Sequence, residues 1–320
     1  ALEDPNDAYF YTSGRASNEA AYLWQLLARQ YGTNNLPDCS NMCHESSGVA
    51  LNESIGIGKG TVRLEDFDKA DLIVIVGQNP GTNHPRMLSA LKSAKKSGAS
   101  VLSINPLKET GMRRFRHPQS PIDMLGAGTQ ISDDHVNIKI NGDMALFRAI
   151  GSIILDKGSH DPDFINLNTT GFLDYAKIAQ EIDWDLIEHL TGQDRGRINE
   201  ISDYFCRSRR TIVCWAMGIT QHKNSVNTIR EIMNVLLLKG DIGREGSGPC
   251  PVRGHSNVQG DRTVGITHAP DEFFIEKLSK EFEIDTPSDH GADSVNAVMK
   301  MKKSGGIFLS LGGNFLSAMS

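Results

Sequence analysis

The chain has 320 residues, 39% of them hydrophobic and 22% charged, and carries a net charge of −6. That is a globular composition, long enough for one large or two medium domains with real cores. The acidic balance argues against a nucleic-acid surface, and no apolar run approaches the roughly eighteen residues that a membrane span needs.

The opening ALEDPNDAYF has no basic stretch followed by an apolar one, so no signal peptide is visible. Five cysteines scattered along the chain do not resemble a disulfide framework, and a cytoplasmic setting is the expectation. SNEAAYLWQLLARQYG follows, with apolar residues at helical spacing, Ser17 placed to cap a helix and Glu19 in its first turn. Next comes DCSNMCHESSGVAL, where Cys39 and Cys43 stand four apart and His44 follows directly. Spacing leaves three readings open: a metal site, a nucleophile with its base, or a buried thiol beside a polar residue.

One pattern then recurs: a short apolar strand, a turn rich in Gly and Asn, then a helix. Residues 72–77, 85–97, 100–104, 211–216 and about 223–238 read as strand, helix, strand, strand and helix in that order, and IFLSLGGNF repeats the strand and turn. Continuous apolar strands alternating with helices predict an α/β fold with a parallel sheet covered on both faces. DPDFINLNTTGFLDYAKIAQEIDWDLIEHL and GRINEISDYFCRS read as helical stretches between these units. The segment from 240 to 262 is Gly-rich, carries Arg253 and lacks any apolar period, which predicts a long functional loop. The chain stops just after a strand-like run, as expected of a fragment of something larger.

In open parallel sheets ligands sit beyond the carboxyl ends of the strands. The turns there, GQNPGTNHP, NPLKETG, MGITQHKN and GGNFLSA, are poor in carboxylates and rich in Gly and Asn. Together they point to a large ligand with phosphates and sugar hydroxyls. No G-x-x-x-x-G-K-[ST] is present, and GIGKG at 56–60 follows no convincing strand, so a P-loop and a classical NAD site are both disfavoured.

Eight segments in order resemble the bis-molybdopterin guanine dinucleotide (bis-MGD) oxidoreductases of molybdenum or tungsten, and above all the catalytic subunits of formate dehydrogenases. They are NEAAYLWQLLARQYGTNN, CSNMCHESSGVAL, VGQNPGTNHP, INPLKETG, NGDMALFRAI, WAMGITQHKNSVNTI, GDIGREGSGPCPVRGHSNVQGDR and LGGNF, and they cover essentially the whole chain. The resemblance implies Rossmann-like αβα domains with mostly parallel sheets. It makes Cys43 the protein ligand of the metal, His44 a proton acceptor or orienting group, and Arg253 the cation that orients formate. Gly77, Asn79, Pro80 and His84 would line one pyrophosphate, Asn105 and Pro106 would approach its ribose, and Asp143 would pair with guanine. Met217, Gly218 and Gln221 would hold the other cofactor near the metal. Gly254 and Asn257 would contribute from the Arg253 loop, and Gly312, Gly313 and Asn314 would lie near the second guanine.

The same resemblance implies two domains, one spanning 39–252 and inserted into another built from 1–38 plus 253–320. It implies an electron-transfer subunit or other acceptor. An iron–sulfur segment and a C-terminal pterin-binding domain would lie only outside this chain, which alone would not hold the cofactor tightly or turn over. Two departures leave the substrate open: ESSG follows His44 where GPS is expected, and Asp261-Arg262 follows VQG. The alternatives are a non-catalytic dinucleotide-binding module and a hydrolase or transferase using Cys43 with His44 as base. The second suffers because adjacent side chains point apart. A zinc site at Cys39 and Cys43 would need two more ligands.

Overall fold

The computed structural model describes residues 4–121, 123, 126–314 and 317. Two compact units emerge, Ala1–Glu45 with Arg253–Ser320, and Ser46–Val252. The second is thus an insertion in the first.

The inserted unit is built on a five-stranded, all-parallel sheet in the order Asp134–Asn137, Ser100–Asn105, Leu72–Val76, Thr211–Trp215, Gly248–Pro251. The central strand, LIVIV, is buried along its whole length. Its side chains alternate between two cores, because successive residues of a strand face opposite ways. Leu72, Val74 and Val76 join Trp215, Phe147 and Ile232 on one face. Ile73 and Ile75 join Leu91, Ala94 and Cys214 on the other. Helices Asp143–Asp156, Arg195–Arg207 and Ser225–Leu238 cover the first face, and Met87–Lys96 covers the second. Each fully buried Leu, Ile, Val or Phe among them contributes about 1.5–3 kcal/mol of apolar transfer, which holds the three layers together.

Chain order reverses at the central strand: the next two strands lie on one side of it and the last two on the other. This is the topological switch point, where the βα turns part and leave a crevice.

The other unit pairs Ala8–Thr12 with Ile307–Leu311 in parallel. Residues 35–38 run alongside the first of these strands, with Phe10 N donating to Asn35 O at 2.9 Å and Thr12 N to Pro37 O at 3.1 Å. Helix Asn18–Tyr31 starts at Ser17, whose hydroxyl accepts from Ala20 N at 3.3 Å, and ends at Gly32 in the left-handed region. Ser17 therefore caps as its position predicts.

Several expectations differ in detail. The first boundary falls at 45/46 and not 38/39, so residues 39–45, Cys43 and His44 among them, belong with the Arg253 unit. The segment 240–262, read as irregular, contains the edge strand Gly248–Pro251 and the helix Val258–Thr263. Proline is tolerated in that strand because an edge leaves backbone groups outside the ladder. The helix expected over 85–97 runs Met87–Lys96, preceded by a single turn at Pro80–Asn83. Of the GGNFLSA turn, Phe315, Leu316 and Ala318 lie outside the described residues.

Candidate functional site

In the discontinuous unit, Cys39–Met42 forms a short 3-10 turn capped by Asp38, whose carboxylate accepts from Ser40 N at 2.8 Å and from Asn41 N at 3.3 Å. Cys43 closes this turn by donating its own N–H to Ser40 O at 3.1 Å. Its thiol is buried, which raises its pKa, while the backbone N–H of Gly254 and the charge of Arg253 pull the other way. Burial likewise lowers the pKa of Arg253, against the attraction of Cys43 and Glu45. The structure thus brings Cys43, Arg253 and Gly254 together, although Gly254 meets the thiol through its own backbone. His44, next to Cys43 in sequence, is 1% exposed. Cys39 is occupied elsewhere: its sulfur accepts from Gly14 N at 3.0 Å, and burial pushes its pKa up to about 11. Among the described residues no cluster of three or more His, Cys, Asp or Glu could hold a metal.

What sequence reading missed is Arg262. Its Nε donates to Asp38 Oδ2 at 2.6 Å and to Ser40 Oγ at 3.1 Å, and its Nη2 to Asp38 Oδ1 at 3.2 Å and Glu45 Oε2 at 2.8 Å. The fork therefore clasps the residues on either side of Cys43-His44. ESSG and Asp261-Arg262, noted separately as departures, meet in one ion pair, Glu45 with Arg262. No spacing rule connects residues so far apart in sequence. Asp38 is 2% exposed, so losing its cation leaves a buried carboxylate with only neutral donors. Arg262→Met is expected to cost about 3 kcal/mol of unfolding free energy in a urea titration, a loss that Arg262→Lys only partly restores because the fork is gone.

Asn257 has little left to offer a ligand. Its amide donates to Ala16 O at 2.8 Å, Asn18 Oδ1 at 2.9 Å and Asp261 Oδ1 at 3.3 Å, and its backbone N–H to Gly14 O at 2.7 Å. It ties the Ser13–Ser17 loop in place instead. Gly312, Gly313 and Asn314 are exposed beside that loop, with Ser13 N donating to Leu311 O at 3.0 Å.

In the inserted unit the remaining residues gather at the switch point. Gly77, with φ +56, and Gly218 press backbone on backbone, and Gly218 N donates to Gly77 O at 3.0 Å. A Cβ on Gly77 would stand 2.7 Å from the Gly218 carbonyl carbon. Asn79 caps the Pro80–Asn83 turn through Thr82 N at 3.2 Å. Gln78, not singled out from the sequence, links the set: its Nε2 lies 3.2 Å from His84 Nδ1, and its carbonyl accepts from Asn105 Nδ2 at 3.0 Å. Pro106 O accepts from Asn137 Nδ2 at 2.8 Å. Met217 is 41% exposed, and Gln221 Nε2 lies 3.9 Å from its sulfur.

Asp143 opens helix Asp143–Asp156 and is 5% exposed, and burial pushes its pKa up to about 7 against its own backbone N–H. Among the described residues no cation pairs with it. Asn224 Oδ1 and Gln78 Oε1 are buried acceptors without a partner among the described residues. Asn224 donates to the sulfur of Met144, next to Asp143, at 3.6 Å. Glycines that admit no side chain, together with buried acceptors awaiting donors, fit a nucleotide with a donor-bearing base.

Residues 2–314 match the family described as Molybdopterin oxidoreductase. The chain belongs to the molybdopterin oxidoreductase family. It is 50% identical over 324 residues to an uncharacterized oxidoreductase of Mycobacterium tuberculosis, covering 99% of this chain and 42% of that protein. It is 44% identical over 331 residues to protein YdeP of Escherichia coli, covering 100% of this chain and 44% of YdeP. Formate dehydrogenase H of Escherichia coli is more distant, 28% identical over 288 residues, covering 87% of this chain and 38% of that protein. The chain thus spans less than half the length of these relatives. Acetylene hydratase from Pelobacter acetylenicus shares the fold, with a TM-score of 0.62 at 18% identity over 76% of this chain and 31% of that one.

Proposed function

We propose that this chain is the part of a molybdenum- or tungsten-dependent bis-MGD enzyme that carries the metal's protein ligand, and that the enzyme oxidises formate or a similarly small substrate by two electrons. The observation that carries this reading is the buried Cys43 thiol with the Gly254 N–H and Arg253 charge directed at it. Family membership and the 28% identity to formate dehydrogenase H support it.

Cys43 would ligate the metal, a soft thiolate suiting a centre rich in sulfur. Gly77, Asn79, Pro80, His84, Asn105, Pro106 and Asp143 would hold one guanine dinucleotide. Met217, Gly218 and Gln221, with Gly312, Gly313 and Asn314, would hold the other. When bound, the cofactor supplies a two-electron acceptor. Arg253 binds and orients the substrate carboxylate with its fork. His44, shielded from water, takes the proton released as the C–H bond breaks. Arg262 holds the segment carrying Cys43 and His44 through Asp38 and Glu45. The electrons would pass to an acceptor or partner subunit.

The test is elemental analysis of the protein expressed from its complete reading frame in a host that makes the cofactor, with guanine measured after acid hydrolysis. A pair of guanine nucleotides for each Mo or W atom is expected. Neither metal nor guanine, in a host that loads a related enzyme, overturns the reading.

Asp143 yields a second expected result. Its folded pKa is raised, so its neutral form stabilises the fold below the ordinary carboxylate pKa, and that stability is lost as pH rises towards about 7. Asp143→Asn removes this loss, and at pH 8 its unfolding midpoint is expected to equal or exceed that of the parent. Guanine needs the ionised acceptor for its N1–H and amino group, so the same variant is expected to retain about tenfold less guanine. A fall in both quantities would make Asp143 structural.

A further inference from the structure

We infer that the cavity beside the edge strand Asp134–Asn137 binds a phosphate dianion, free or carried on a small metabolite. The cavity measures about 640 Å³, and its walls include Lys108, Arg113, Arg114 and His135, with Asp133 and Asp134 alongside. It lies wholly within the inserted unit and shares no residue with the set assigned to the cofactor.

The two carboxylates do not neutralise it. Asp134 is held by Arg197 Nη2, which reaches both of its oxygens at 2.7 and 2.8 Å. Asp133 is paired with Lys95 and also accepts from Val101 N at 2.8 Å. The side chains of Lys108, Arg113 and Arg114, by contrast, have no ion-pair or hydrogen-bond partner among the described residues. Local structure keeps them close. Arg113 ends the turn Thr110–Arg113, and Arg114 follows it into a small hairpin, paired with Gln130. Lys108, Arg113 and Arg114 are exposed, so water screens part of their mutual repulsion and leaves part of it in place. A bound anion removes that repulsion.

His135 adds a neutral donor. Strand pairing sets it opposite Ser103, its Nδ1 lies 3.3 Å from Ser103 Oγ, and its Nε2 is buried with no partner among the described residues. Burial, then the charge of Lys108, lowers its pKa. With Nδ1 accepting from the Ser103 hydroxyl, the neutral ring would carry its N–H on Nε2 and offer it without adding charge. A monocarboxylate would leave two of the three cations uncompensated, whereas a phosphate dianion with several acceptor oxygens suits two guanidinium forks, an ammonium and an imidazole. The volume also leaves room for an organic group of sugar size.

The experiment is isothermal titration calorimetry on the full-length, cofactor-loaded protein at fixed ionic strength. Inorganic phosphate, ribose 5-phosphate and acetate are the probes, and Arg113→Ala/Arg114→Ala is the variant. Saturable binding of a phosphate probe is expected, weaker for acetate, and reduced at least tenfold in the variant while its metal and guanine content stay unchanged. Tighter binding of ribose 5-phosphate identifies a carried phosphate, and equal or tighter binding of inorganic phosphate a free one. The inference is overturned if neither phosphate saturates, if acetate binds as well, or if the variant binds unchanged. A fall in guanine content in the variant also overturns it, by assigning these cations to the cofactor. Absence of metal and guanine from the parent would defeat the cofactor reading alone, since the phosphate titration reads out without either.

Discussion

Cys43→Ala is expected to abolish turnover and to lower the bound metal, in protein expressed from the complete reading frame in a cofactor-competent host. Even changes in the groups supporting a metal ligand cost about 10- to 100-fold, so loss of the ligand itself should exceed 100-fold in activity. The fold should survive. The substitution removes one sulfur from a buried position already closed by the Ser40 and Asp38 hydrogen bonds, a cost of about 1 kcal/mol. Urea unfolding separates the two effects: a nearly parental midpoint with no turnover places Cys43 at the metal, while retained activity refutes the ligand role.

Gly218→Ala should have a large effect on the fold. A Cβ there would lie 2.6 Å from both the Cα and the carbonyl oxygen of Gly77. The opposing atoms are backbone, so no rotamer change relieves the clash. The two βα turns must move apart, straining the Gly218 N to Gly77 O hydrogen bond. A cost of about 3 kcal/mol, the upper part of the overpacking range, is expected together with loss of retained guanine. Gly98→Ala is the comparison. Gly98 has φ +101 but nothing within 4 Å of an added Cβ, so only backbone strain of about 1–2 kcal/mol applies. Equal costs in the two variants would mean that the contact between the turns carries no special weight.

The central strands were legible because burial on both faces turns them into unbroken apolar runs, as in LIVIV and TIVCW. Both edge strands escaped notice for the complementary reason. DHVN is polar because it borders solvent, and GPCP carries prolines that only an edge tolerates. The glycine-rich turns were visible as composition, but not that Gly77 and Gly218 touch. Cys43, His44 and Arg253 stood out by spacing and local composition, but their roles came only from resemblance to a family. The Arg262 clasp was beyond both routes, since it joins Asp38 and Glu45 to a residue on the far side of the insertion.

That insertion has a consequence for how the molecule is made. Synthesis runs from the amino terminus, and domains generally fold as units. Cys43 leaves the ribosome long before Arg253, Gly254 and Arg262 exist, and all of Ser46–Val252 must be translated first. Until then Asp38 and Glu45 lack their cation, and the thiol lacks the N–H that later meets it. The nascent chain therefore carries an unprotected nucleophilic sulfur, open to oxidation or to a stray soft metal. Closure of a loop one whole domain long brings the Gly254 N–H and the Arg253 charge to it.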